Sequence, residues 1–169
     1  MALSIDETDV APGSDYTFVD EAAELCAAHP DVRAFWNYRT RCVGQSGHPS
    51  RRLFDPTEIP RLLSRIWIVD WNEARGDFHY RLVGTRVVEA IGFDPTGRFV
   101  GEALADRSAA NPGLLARFSE TLRAGRATWR KGPARHWARM DRRQVENLMV
   151  PFVCDCERFE QLVCISAYE

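Results

Sequence analysis

Phe78-His-Tyr-Arg-Leu-Val-Gly-Thr85 is the stretch that decides the fold. Alternation puts Phe78, Tyr80 and Leu82 on one face and His79, Arg81 and Val83 on the other, which is the pattern of a half-buried strand. The strand stops at Gly84, where the chain must turn a sharp corner. Thr85 is placed to cap a short helix carrying Val87, Val88 and Ile91, and Gly92 stops that helix. The turn Asp94-Pro-Thr-Gly-Arg98 comes next. Upstream lies a second strand, Ile66-Trp-Ile-Val-Asp-Trp71, joined to the first by the hairpin turn Glu73-Ala-Arg-Gly-Asp77. Before it, Asp55-Pro-Thr-Glu58 supplies a cap, a proline at the first helical position and an acid at the third. The helical turn it opens holds Ile59, Leu62 and Leu63.

Working outward, Asn111-Pro112 opens the clearest helix, with Leu115, Phe118 and Leu122 on one face and Gly125 at its end. Three strands are expected after it, over 127–139, 143–153 and 159–168. Toward the N-terminus, residues 1–17 are acidic and show no apolar period, so a frayed tail is expected. Val19–Ala28 is rich in Ala, Glu and Leu and reads as helix. Pro30 breaks that helix and suits the first turn of another, over 31–43, with Val32, Phe35 and Trp36 on one side. Two strands, helices, then three strands is an α+β order, satisfied by a five-stranded antiparallel sheet with helices on one face.

Pro60, Leu62-Leu63, Ile66, Asp70, Tyr80-Arg81-Leu82, Gly84-Thr85, Gly92, Asp94 and Thr96-Gly97 stand in an order that resembles the PAS sensor domain. More narrowly, the pattern is similar to a bacterial PAS-related family of largely unknown function. The resemblance is specific over residues 35 to 104. It implies a ligand-sized space between sheet and helices and an N-terminal flanking helix. It divides the chain into an acidic tail (1–18), a helical cap or dimerisation segment (19–48) and the PAS-like domain (49–169).

Composition sets the outer bounds. A chain of 169 residues, 45% hydrophobic and 27% charged, builds one ordinary domain with its own core. No apolar run approaches the length of a transmembrane helix, and the N-terminus lacks the basic start and apolar stretch of a signal peptide. Five cysteines fit a reducing compartment, so a cytoplasmic protein is expected. Of 22 basic residues only Lys131 is lysine, which genome base composition explains as well as phosphate recognition does. No Lys or Arg precedes Arg33, whereas 117–143 holds nine basic residues against Glu120 and Asp141. These poles either attract one another or are separate solvated surfaces.

Candidate site residues follow from the inner faces of these elements. Trp67, Tyr80, Leu82, Val88, Ile91, Phe118 and Phe152 are expected to line an apolar cavity, unless side chains fill it. Asp70, Arg81, Gly84, Thr85 and Gly97 carry the family pattern. Arg81 is expected to pair with Asp70 on the preceding strand. Gly84 and Thr85 read more simply as a corner and a cap than as gates of a pocket.

Other chemistry is thin. The histidines are 29, 48, 79 and 136, none in the 85–104 stretch where the resemblance would place a haem ligand. No cysteine lies between Cys42 and Cys154, where a flavin photosensor needs one. Neither haem nor flavin is expected, and any ligand is left unnamed. Cys154-Asp-Cys156 offers two thiolates, which do not close a zinc site, and a hairpin there sets Cys164 opposite Met149. Trp129-Arg-Lys-Gly-Pro-Ala-Arg-His-Trp137 mixes bases and aromatics as single-strand binders do, but the net charge of −2 speaks against nucleic acid.

Three functions fit. The first is a sensory or interaction module binding a small molecule or protein partner and signalling in trans. The second is a small isomerase or dehydratase working from one buried acid, with Asp70 and Asp141 as candidates. The third is a structural adaptor with a filled core. The aromatic stripe on 31–43 needs cover, from its own sheet or from a second chain, and a homodimer is the expected arrangement.

Overall fold

The computed structural model describes residues 15–105, 112–133, 144–155 and 158–169. Strands β1 (Thr17–Val19), β2 (Ile66–Asn72), β3 (Asp77–Val83), β4 (Ala127–Pro133), β5 (Gln144–Val153) and β6 (Phe159–Tyr168) form one sheet in the order β1-β4-β5-β6-β2-β3. Every ladder between these strands is antiparallel. The helices are α1 (Pro30–Arg39), α2 (Thr85–Ile91), α3 (Val100–Ala105) and α4 (Pro112–Ala124). Among the described residues, no helix is long and apolar enough to cross a membrane.

The fold class is α+β as expected, but the sheet has six strands rather than five. The extra strand comes from the end of the acidic segment, where Thr17, Phe18 and Val19 pair with Trp129, Thr128 and Ala127. Val19 therefore cannot begin a helix. Between β1 and α1 there is only a 3₁₀ turn, Ala22–Leu25. Its start is locked by Glu24, whose Oε1 accepts from the backbone N of Asp20 (2.8 Å) and of Glu21 (2.7 Å). β4 is described as far as Pro133. Residues 134–143, with His136, Trp137 and Asp141, lie outside the described residues, as does Cys156.

The β2–β3 hairpin forms where the alternation places it. Gly76 adopts φ +63° in its turn, and its N–H donates to the Asn72 carbonyl at 2.9 Å. The left-handed conformation is why glycine stands there.

Helices α2, α3 and α4 cover one face of the sheet, and the flanking N-terminal segment with α1 covers the other. On what we term the inner face, Trp67, Val69, Phe78, Tyr80, Leu162 and Cys164 meet Val87, Ile91, Val100, Leu104 and Phe118 from α2, α3 and α4. On the outer face, Ile66, Ile68, Leu148, Val150, Phe152, Val163 and Ile165 meet Leu25, Val32, Phe35 and Trp36 from the N-terminal segment. The aromatic stripe of α1 is thus buried by its own chain, with Val32, Phe35 and Trp36 at 0%, 0% and 3% exposure. Covering it requires no second copy.

Polar contacts fasten α1 in place. Glu146 Oε1 accepts from the backbone N of His29 at 2.7 Å and from Trp129 Nε1 at 3.0 Å. Asp31, in the first turn of α1, pairs with Arg65 at 2.8 Å.

Candidate functional site

The site is built on the β2–β3 hairpin and the segment that follows it. The ladder runs Ile68 to Leu82 and then Val69 to Tyr80, so Arg81 is a bulged residue with no partner of its own. A bulge shifts the period-2 pattern by one position. Phe78 and Tyr80 stay on the inner face at 1% and 7% exposure, while Leu82 turns away and is 43% exposed. Val83 takes its place against the inner cluster. The expectation that Leu82 lines the interior is corrected on this ground.

The bulge frees Arg81 to reach across the ladder. Its NH1 lies 3.1 Å from Asp70 Oδ2, and Gln161 Nε2 donates to Asp70 Oδ1 at 2.6 Å. The Arg81 side chain is half exposed, so this pairing is worth at most about 1 kcal/mol. Arg81→Ala is expected to shift stability by less than about 1 kcal/mol in a urea titration. A larger loss would mean that the bulge itself depends on the ion pair.

Gly84 turns the corner because nothing larger fits. A Cβ there would lie 2.5 Å from the carbonyl oxygens of Leu63 and Ser64. Gly84 is itself the cap residue of α2; Thr85 is the first helical residue, and no side-chain bond caps the helix. The capping role expected of Thr85 is therefore not seen. On α2 it is Val87 and Ile91, one turn apart, that face the inner cluster, while Val88 is only half-buried. Gly92 ends the helix at φ +81°.

The turn after α2 returns to the free edge of β3. Asp94 Oδ1 accepts from Thr96 N at 2.9 Å. Gly97, at φ +82°, donates to the Tyr80 carbonyl at 2.8 Å, and the Arg98 carbonyl accepts from Tyr80 N at 2.9 Å. The motif residues 94–98 thereby cover an edge strand that would otherwise offer open ladder positions.

Inside, four of the seven expected liners come together: Trp67, Tyr80, Ile91 and Phe118. Ring centroids lie 5.6 Å apart for Trp67–Phe118, 6.5 Å for Trp67–Tyr80 and 5.2 Å for Phe78–Phe118. These rings pack directly against one another. Phe152 is on the other face, against Phe54 at 5.9 Å, because β5 directs Leu148, Val150 and Phe152 outward. Trp67 Nε1 donates to Ser166 Oγ at 2.9 Å. Burial raises the pKa of Tyr80 and pushes the Cys164 thiol well above its ordinary value.

Sequence reasoning missed Arg117. It is 3% exposed on α4, beside Phe118, and carries a polar network on the inner face. Nε donates to Thr128 Oγ1 at 3.0 Å, NH1 to Asn147 Oδ1, and NH2 to the carbonyls of Thr128 (2.8 Å) and Asn147 (3.4 Å). These acceptors are neutral. Desolvation lowers the pKa of Arg117 to about 9. Arg117 and Thr121 stand at i, i+4 on one helix flank and are both buried, but nothing in the sequence marks them as such.

His79 packs its ring against Phe99 at 5.2 Å. In the β5–β6 ladder Cys164 stands opposite Met149, away from Cys154. Among the described residues, no group of three or more His, Cys, Asp or Glu side chains is placed to hold a metal ion.

No curated protein matches the sequence. One solved structure, that of an RNA-binding light-oxygen-voltage receptor, is 14% identical with a TM-score of 0.44; the match covers 70% of this chain and 35% of the receptor chain. Residues 27–162, from just before α1 into β6, match the family described as PAS domain, and the chain belongs to that family.

Proposed function

We propose that the chain is a sensory and interaction module of the cytoplasm, which takes a small anionic molecule between α4 and the sheet and reports its occupancy to a protein partner in trans. The observation that carries this reading is Arg117. A guanidinium has five N–H donors. Here four hydrogen bonds hold it, all to neutral acceptors, among the described residues. Withdrawing a charge from water without an ion-pair partner costs on the order of several kcal/mol. An acidic ligand group beside Arg117 offsets that cost, and the Trp67–Phe118 cluster next to it supplies apolar surface.

A second reading, an interaction module with a filled core, is favoured by the ring-to-ring contacts of Trp67, Phe78 and Phe118. The isomerase alternative needs a buried acid at the site. The buried carboxylate of Glu146 is engaged with His29, Trp129 and Lys131 instead.

Native mass spectrometry of the purified protein decides between the first two. The first reading expects an extra small-molecule mass, lost on denaturation and lost in folded Arg117→Met. A ligand-free mass for the folded wild type would favour the filled-core module.

A further inference from the structure

A cleft of about 100 Å³ lies at the outer-face end of β1, β4 and β5, away from the inner cluster. It is bounded by Val19 at the end of β1 and Asp20 after it, Arg39 at the end of α1, the 47–49 loop, and the Gly125–Ala127 corner between α4 and β4. We propose that this cleft binds a small phosphate-type oxyanion between Arg39 and Arg126, in a place now contested by the carboxylate of Asp20. The inference does not depend on the ligand reading of Arg117.

Arg39 is the first argument. Its guanidinium carbon lies over the Trp36 ring, 3.5 Å from the centroid, and the contact holds it in position. Its Nε is buried with no hydrogen-bond acceptor among the described residues. A surface arginine normally leaves its N–H groups to water. A buried, unmet N–H to a charged group costs about 1–3 kcal/mol or more. An anion in the cleft offsets part of that cost by its Coulomb attraction to the guanidinium as a whole. Desolvation lowers the pKa of Arg39, and the charge of Asp20 opposes the shift.

Arg126 is the second. Its Nε donates to Asp20 Oδ1 at 3.0 Å and its NH2 to Asp20 Oδ2. This is the forked geometry with which arginine takes carboxylates and phosphates. The cleft therefore already holds one oxyanion, supplied by its own chain. Among the described residues that line the cleft, two guanidinium groups stand against one carboxylate, and His48 lines it as well. Gly47, at φ +78°, has open space where a Cβ would be, so the loop leaves room at the mouth.

The geometry makes Asp20 an internal competitor. A phosphate has charge enough to engage both arginines, and on binding it displaces Asp20 from Arg126. Asp20 directly follows β1, the three-residue edge strand. Occupancy is thus coupled to the hold of β1 on β4.

The test is a titration of the full chain with inorganic phosphate, and in parallel with a simple alkyl phosphate monoester. Chloride at matched ionic strength is the control, and binding is read by ¹⁵N-¹H chemical shifts. Saturable shifts are expected at Arg39, Arg126 and the β1 amides. Asp20→Asn is expected to bind at least about tenfold tighter, as removal of a charged hydrogen-bonded competitor implies. Arg39→Gln is expected to lose about tenfold or more, with partial recovery in Arg39→Lys. Binding of phosphate alone assigns the site to the free ion; equal binding of the monoester assigns it to phosphate groups of organic molecules. Shifts that match chloride, or an Asp20→Asn variant no tighter than wild type, would overturn the proposal. The Asp20→Asn arm stands even if Arg39→Gln fails to fold.

Discussion

Removing residues 1–43 is expected to leave a chain that does not fold. The deletion takes away β1, the 3₁₀ turn at 22–25 and α1, and with them Leu25, Val32, Phe35 and Trp36. Burial of each such side chain contributes about 1.5–3 kcal/mol. Their sum is comparable to the whole stability of an ordinary domain, about 5–15 kcal/mol. The loss is compounded on the sheet, where Ile66, Ile68, Leu148, Val150, Phe152 and Ile165 would become one exposed apolar face, and a patch of that kind drives association. Glu146 would also lose the His29 N–H it accepts from. The expected result is insoluble protein, or soluble protein with no cooperative urea transition. A truncated protein that is monomeric by sedimentation and melts cooperatively would show that the N-terminal segment is an appendage rather than half of the core.

Gly84→Ala is expected to destabilise by about 3 kcal/mol, at the upper end of the usual range for overpacking. The added methyl meets backbone, not a flexible side chain: the Leu63 and Ser64 carbonyls, each 2.5 Å away. Relief requires the 63–65 turn and the start of α2 to part, and Gly84 N would then lose its 2.8 Å bond to the Ile66 carbonyl. Gly97→Ala makes the right comparison. Its Cβ would meet nothing within 4 Å, yet its φ is +82°. It should lose only about 1–2 kcal/mol, the penalty of a left-handed backbone. Urea midpoints of the two variants check the contrast. A Gly84→Ala variant no worse than Gly97→Ala would refute the steric account of the corner.

The hairpin, the Gly92 stop and the start of α4 at Pro112 are legible because each rests on a local rule: alternation, a left-handed glycine, a proline at a helix start. What failed were statements about faces. Leu82 was assigned inward by strict alternation, and a single bulged residue, Arg81, reversed that assignment. Phe152 is misassigned to the inner face because Leu148–Val153 is apolar throughout. A strand buried on both sides has no polar positions to mark its orientation. The same two-sided burial hid the role of α1, which reads alone as an amphipathic segment in need of a partner. β1 was invisible because a three-residue strand in an acidic stretch owes its existence to the edge of β4. Of the candidate site, Trp67, Tyr80, Ile91 and Phe118 were foreseeable from periodicity. Arg117 was not, since charge ordinarily argues for exposure.

The sheet order carries one more consequence, for the time scale on which parts of the chain open. β6 has β5 on one side, β2 on the other, and packed side chains above and below, with Leu162 through Ala167 all buried. Its amides can meet solvent only when the whole domain comes apart, so deuterium should enter there last and at the rate of global unfolding. β1 is the opposite case, three residues laid along one neighbour at the margin. Its amides should exchange early, through a local fluctuation that leaves the rest of the sheet intact. The molecule therefore has a slow centre and one fast border, and the fast border is the strand that runs straight into Asp20.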